Sequence, residues 1–296
     1  MMDVKVSVDG AFLAALLSAL LSALLEASLL LRLILALLSL GRGAGIKGNG
    51  WGIAQTGGSR QIQADKLQVL LTKAGMLGIL ADGIGRENTG RVCAQIALDT
   101  AADAYEPYEV LTNPEYLFRT ICREADARIR KTIGERRGGA CLGLVFIGNG
   151  YLHYSLVGDI RIALMRGGEL IPLSQGHTLD VLARQAYEAG RITKKEAIWS
   201  MEVKRRWNYL GMDGFQEIEI PERPIRLKEG DMVAMFSCGI WQELSWAQIE
   251  DMLSGQESLE EKARQICWAA GRGPGEDREN GSVVLLGARE AVNETN

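Results

Sequence analysis

The sequence predicts an α+β domain of the sandwich type, with a hydrophobic helix ahead of it. Three observations carry that reading. From residue 49 onward, short apolar runs bounded by glycines fall into two groups, each followed by segments of helical spacing. The 296 residues hold 35 glycines and 6 prolines, a balance that suits tight turns better than disorder. Residues 11–40, AFLAALLSALLSALLEASLLLRLILALLSL, have a different texture, with Glu26 and Arg32 their only charges.

That apolar stretch is long enough to cross a bilayer, which takes about 20 helical residues. Its leading residues, MMDVKVSVDG, have no cationic excess, and no clear cleavage site follows, so it does not read as a signal peptide. Gly41 to Lys47 is glycine-rich and positive, which predicts that the larger C-terminal part is cytoplasmic. Ser18, Ser22 and Glu26 share one helix face, beside a small-residue row of Ala15, Ala19, Ala23 and Ala27. Such rows let helices approach closely in lipid, so a helix partner is expected there. An amphipathic helix lying on a membrane or a partner, and a helical hairpin, fit the same residues. The expected organisation is a tail (1–10), a transmembrane helix (11–40), a linker (41–48), one folded domain (49–288) and a second tail (289–296).

Within the domain, Trp51–Gln55 and Lys66–Leu71 read as strands. Between them Arg60 follows a Gly-Gly turn, where its planar fork suits either a phosphate or open solvent. Met76–Ala81 is a third, buried strand. The glycines of Asp82-Gly83-Ile84-Gly85 predict a sharp turn, and Val92, Ile96 and Ala97 then recur at helical spacing. A carboxylate at the end of a strand and before a helix suits an N-cap or turn aspartate, and also a metal ligand. Helices are expected over 88–104 and 114–133.

Next, Ala140–Ile147, Tyr151–Val157, Ile160–Met165 and Glu169–Leu173 read as a four-strand meander. Its turns fall at Gly148-Asn149-Gly150, Gly158-Asp159 and Arg166-Gly167-Gly168. Residues 177–211 break that rhythm with helices over Thr178–Ala189 and Thr193–Met201, an insertion expected to form a flap near a site. Strands resume at Ile218–Ile220 and Met232–Gly239. Helices over 245–253 and 259–270 and a strand over Ser282–Leu286 complete the domain.

Charge and cysteine usage narrow the function classes. A net charge of -4 leaves no basic footprint for nucleic acid. The five cysteines (93, 122, 141, 238 and 267) are odd in number, dispersed and without a C-x-x-C pair. That argues against both a disulfide framework and a structural zinc site and fits a reducing compartment.

Eight short motifs then occur in one order: Arg60 with Gln63-Ala64-Asp65; Asp82-Gly83-Ile84-Gly85; Gly90-Arg91-Val92-Cys93-Ala94; Gly139-Ala140-Cys141; Gly158-Asp159-Ile160-Arg161; Gly176-His177; Asn208-Tyr209-Leu210-Gly211; and Ser237-Cys238-Gly239 with Glu279-Asn280. In this the domain resembles the metal-dependent protein phosphatases, the protein phosphatase 2C or PPM type, in their bacterial form. The resemblance covers about residues 49–288. It implies a four-layer α-β-β-α sandwich of two antiparallel sheets flanked by helices. It also implies two or three divalent cations, Mn²⁺ or Mg²⁺, at one end of the sandwich, and hydrolysis of phosphoserine or phosphothreonine in a phosphoprotein substrate. Carried over residue by residue, Asp82 would bridge two metals and the Gly83 carbonyl would ligate one. Asp65 would orient metal-bound water, Arg60 would grip phosphate, and Asp159 would serve a third metal position.

The departures fall on the same site. The family's S-D-G aspartate is Cys238, its final aspartate is Glu279, the acidic or amide residue before Asp65 is Ala64, and the D of its D-H pair is Gly176. A thiol favours softer ions than Mg²⁺. Three readings therefore stand: a membrane-anchored Ser/Thr phosphatase with an altered metal site, a pseudophosphatase that binds a phosphoprotein without hydrolysing it, and a site that Cys238 makes redox-sensitive or zinc-binding, against which stands a buried inert cysteine.

Overall fold

The computed structural model describes residues 50–201, 205–273 and 275–288. The helix expected over 11–40 and both tails lie outside them. Among the described residues no helix is long and apolar enough to cross a membrane.

The strands form two five-stranded antiparallel sheets. The first has the order β1 (Trp51–Thr56), β10 (Gly281–Gly287), β9 (Met232–Phe236), β6 (Arg161–Arg166), β7 (Glu169–Pro172). The second has the order β2 (Lys66–Thr72), β3 (Gly75–Gly85), β4 (Gly138–Gly148), β5 (Tyr151–Val157), β8 (Ile225–Arg226). Against the second sheet pack α1 (Thr89–Tyr105) and α2 (Pro114–Ile133). Against the first pack α5 (Cys238–Trp241), α6 (Trp246–Ser254) and α7 (Leu259–Ala270). Between β7 and β8 lie α3 (Leu179–Glu188) and α4 (Lys194–Met201).

Strand alternation builds the layers. Leu77 and Ile79 of β3 join α1 and α2 in one core, while Met76 and Leu80 face the other sheet. In β10, Val283 and Leu285 pack on the helices, whereas Val284 and Leu286 enter the inter-sheet core with Val233 and Met235. A fully buried aliphatic side chain contributes roughly 1.5–3 kcal/mol, so this double-sided alternation fixes the register. The helix starts follow local chemistry. Asn113 accepts from the Tyr116 amide with Pro114 at the first helical position, Ser245 forms a capping box with Gln248, and Ser258 caps α7.

The structure corrects the sequence reading in four places. Asp82–Gly85 is not a turn: it extends β3 and pairs with Gly138–Cys141, and the turn comes at 86–88 with Glu87 at φ 52°. The glycines serve close approach instead, since a Cβ on Gly83 would stand 2.3 Å from the Gly90 carbonyl oxygen. The four strands over 140–173 are two hairpins rather than one meander. Gly158-Asp159-Ile160 carries the chain from β5 of one sheet to β6 of the other. Ile218–Ile220 makes a single bridge, Glu219 to Leu156, and the second sheet takes β8 as its edge strand instead. Finally, β9 ends at Phe236, and Cys238 opens α5.

Candidate metal centre and its arginine

Antiparallel pairing brings several chain segments to one end of the sandwich. Asp82 lies near the C-terminal end of β3, directly opposite Cys141 near the start of β4. Asp159 follows β5 at the crossover, Cys238 follows β9, and Asp65 and Glu279 precede β2 and β10. The crossover passes tightly over β4. Gly158 has φ +100°, and a Cβ there would meet the Cys141 sulfur at 2.3 Å.

Asp82, Cys141 and Asp159 are buried, and one ligand atom from each lies within 4.8 Å of the others. The Cys141 thiol donates to Asp159 Oδ1 at 3.2 Å. Between the two carboxylates stands a guanidinium. Arg206 Nη2 is 3.2 Å from Asp82 Oδ2, and its Nε is 2.8 Å from Asp159 Oδ1. Burial works against the charge of Arg206, but the carboxylates of Asp82 and Asp159 outweigh it and hold the group protonated. Burial pushes the Asp82 carboxyl up to about 6, with Arg206 opposing the shift.

Asp65 lies beside this group and is 1% exposed. Its Oδ2 accepts from Ser237 Oγ at 2.8 Å and Ser282 Oγ at 2.7 Å. Among the described residues its Oδ1, which is buried, has no hydrogen-bond partner. Burial, then the neighbouring Asp82, holds its pKa well above the usual carboxylate range. The loop that carries it is strapped down: Asn280 accepts from the Ala64 amide and donates to the Gly57 carbonyl. The thiols of Cys141 and Cys238 are both pushed well above the ordinary value, mainly by burial, and are protonated at neutral pH.

At the rim, Arg60 donates to both carboxylate oxygens of Glu279, at 3.1 and 2.6 Å, and pairs with Asp277 at 3.2 Å. The structure thus brings Asp65, Asp82, Gly83, Asp159 and Cys238 to one place, and it commits Arg60 and Glu279 to each other. Sequence reasoning missed Cys141 and Arg206 as site residues. Cys141 carried a signal, because it ends the Gly139-Ala140-Cys141 motif. Arg206 carried none, since an Arg-Arg pair in a charged insertion reads as solvated surface.

No family model matches the chain. A protein phosphatase of Streptococcus pneumoniae, PhpP, is 24% identical over 247 residues, covering 81% of this chain and 98% of that protein. The serine/threonine phosphatase stp of Listeria welshimeri is 25% identical over 216 residues, covering 70% of this chain and 82% of its own. Among solved structures, the Streptococcus agalactiae serine/threonine phosphatase superposes with a TM-score of 0.67 at 23% identity, over 81% of this chain and 99% of that one. The catalytic domain of PstP in complex with two manganese ions gives 0.63 at 23%, over 80% of this chain and 96% of that one.

The chain is similar to bacterial serine/threonine phosphatases of the PPM type and shares their fold. The donor set departs from a two-ion site of that family. Hard divalent ions want several oxygen ligands at about 2.0–2.6 Å. Asp82 and Asp159, with the unpartnered Asp65 Oδ1 nearby, supply oxygens for one such ion where Arg206 now stands. A second PPM-type ion would rely on Cys238, a buried thiol, and Glu279, which Arg60 holds. The residues fit one divalent ion in exchange for the arginine. They do not fit a pair.

Proposed function

We propose that this chain is a metal-dependent phosphoprotein phosphatase acting on phosphoserine or phosphothreonine, with its 49–288 domain held in the cytoplasm by a membrane helix over 11–40. The observation that carries the enzymatic reading is Asp65. A buried carboxylate oxygen without a partner, beside two further carboxylates in a fold shared with PPM-type phosphatases, is placed to receive a hydrogen bond from a reacting water. The membrane placement is supported by the length and hydropathy of 11–40, the positive 41–47 segment and the serine/alanine face.

When bound, one Mn²⁺ or Mg²⁺ supplies Lewis acidity at phosphorus and at water. The chain's residues do the rest. Asp82, the Gly83 carbonyl and Asp159 would hold the ion. Asp65, its pKa raised by burial, accepts the water's proton through Oδ1 while Ser237 and Ser282 hold Oδ2. Arg60 stands exposed at the rim, where exchange of Glu279 and Asp277 for phosphoryl oxygens keeps its fork satisfied.

The second reading, a phosphoprotein-binding module without hydrolysis, is favoured by one observation: Arg206 already neutralises the two carboxylates a metal would use. Hydrolysis of an aryl phosphate and of a phosphopeptide panel with Mn²⁺, Mg²⁺ or Zn²⁺ separates the two. Metal-dependent turnover lost in Asp82→Ala supports the enzyme. Absence of turnover with every ion and peptide supports the binding module.

A further inference from the structure

Arg206 is built into the site rather than resting on it. Its neighbours are stapled on both sides: the Leu179 amide donates to the Arg205 carbonyl at 2.9 Å, and the Trp207 amide donates to the His177 carbonyl at 3.0 Å. Thr178 and Arg206 form an isolated β-bridge, so the helical insertion begins and ends at the arginine. The stem continues into Asn208, whose side-chain amide reaches His177 Nδ1 at 2.9 Å and the Glu217 carbonyl at 2.8 Å. Leu210 then exchanges two backbone hydrogen bonds with Ala140, next to Cys141. The arginine is delivered between Asp82 and Asp159 by backbone pinned to β4 and to the β5–β6 crossover.

We propose that Arg206 is the resident cation of this site, and that a divalent ion enters only by displacing it, so that Arg206 on its pinned stem sets metal affinity as a latch. An ion bound by both carboxylates must occupy the space the guanidinium bridges, because the two groups use the same oxygens. A dication and a guanidinium cannot share a buried space a few ångströms wide without strong repulsion. Conversely, removing the guanidinium without supplying an ion leaves Asp82 and Asp159 buried and uncompensated. Arginine and metal are therefore alternatives, each standing in for the other's charge. Release of the latch requires the Arg206 side chain to swing out from between the two carboxylates. The latch builds on the proposed metal-dependent chemistry, but its test does not depend on turnover.

The experiment is calorimetric titration of Mn²⁺ alone into the full-length chain, beside Arg206→Gln, Arg206→Lys and Arg206→Gln with Asp82→Asn, and thermal melts with and without Mn²⁺. Removal of the positive charge in Arg206→Gln is expected to tighten Mn²⁺ binding at least tenfold. Its melting temperature, lower than wild type in chelator, should be recovered by Mn²⁺. Arg206→Lys, which keeps the charge, should stay close to wild type in affinity, and the double variant should lose binding. Equal Mn²⁺ affinity in wild type and Arg206→Gln overturns the latch, whether or not the protein hydrolyses phosphate. Should Arg206→Gln not fold in chelator, refolding it in Mn²⁺ gives the same decision: recovery supports the exchange of cations, and failure to recover overturns it. Tight, latched binding without turnover would leave the latch standing and remove only the phosphatase reading.

Discussion

The two ends of the β6–β9 strand pair each hold a buried aspartate against an arginine, and they differ in completeness. At one end, Asp231 is 2% exposed and accepts from Arg166 Nε at 3.0 Å and Nη2 at 2.6 Å, and from the Lys228 amide at 2.7 Å. Arg166 also donates to the Arg226 carbonyl, tying β6 to β8 of the other sheet. One arginine meets one aspartate in a fork, and the remaining valences go to backbone. At the other end, one arginine is divided between Asp82 and Asp159, and Asp65 beside them keeps an unpartnered oxygen. The same residue types make a closed structural clamp at the first end and an under-satisfied cluster at the second. Polar surplus, not charge or burial alone, distinguishes a site from a staple.

The largest expected effect lies at the open end. Asp82→Ala should lower metal-dependent phosphate hydrolysis by about 10²–10³-fold, the usual loss when a charge-positioning group leaves a site. Its unfolding midpoint should not fall in step, because one of two buried like charges goes with it. A stability loss as large as the activity loss would erase the contrast between the two ends.

At the closed end, Arg166→Ala strands a buried Asp231, and such broken pairs cost about 3–5 kcal/mol. The arginine is itself partly exposed, so the lower figure is expected. Urea unfolding should show it, with activity per folded molecule unchanged. Loss of activity in the folded fraction would make both ends one functional unit.

His177 sharpens the comparison, because it stands at the foot of the arginine-bearing insertion. Its Nδ1 accepts from the Gly158 amide at 3.0 Å and faces the Asn208 amide at 2.9 Å, so the ring is neutral with its proton on Nε2. Burial lowers its pKa from 6.5 to about 4. The unfolded state binds the proton first as pH falls. The stability His177 supports is therefore complete above about pH 6.5 and is lost as pH drops toward 4, by roughly 3 kcal/mol at most. Unfolding free energies measured between pH 7 and 4 should flatten in His177→Gln relative to wild type. An unchanged slope would remove this residue as the acid-sensitive part of the stem.

The smallest effect is a gain. Cys238→Asp replaces a buried thiol with an oxygen donor at the open end and should raise Mn²⁺-dependent turnover by about tenfold, some 1.4 kcal/mol in the barrier. No gain would mean that Arg206, rather than the donor set, limits metal entry.

Most of the fold was legible in the residues. Helices α2 and α7 fall over 114–133 and 259–270, where the sequence reading put them. Strand existence was equally legible, because alternation in β3 and β10 is enforced on both faces. The sheet assignment was not. A glycine turn between two apolar runs reads as a hairpin in either case, and only packing of both sheets shows that Gly158-Asp159-Ile160 crosses between them. The Gly83 and Gly85 region misled for a related reason. Glycine permits a turn, and it equally permits backbone contact with the start of α1.

The site divides in the same way. The sequence by itself determined the α+β class and most strand and helix segments, because apolar spacing and glycine punctuation are local properties of the chain, and the resemblance of its motifs picked out Asp65, Asp82, Asp159 and Cys238. Tertiary structure decided that Cys141 faces Asp159, that Arg60 is committed to Glu279, and that Arg206 reaches two aspartates from far along the sequence. Those pairings depend on which segments meet in space, and a buried charge is stable only beside the partner that folding brings to it.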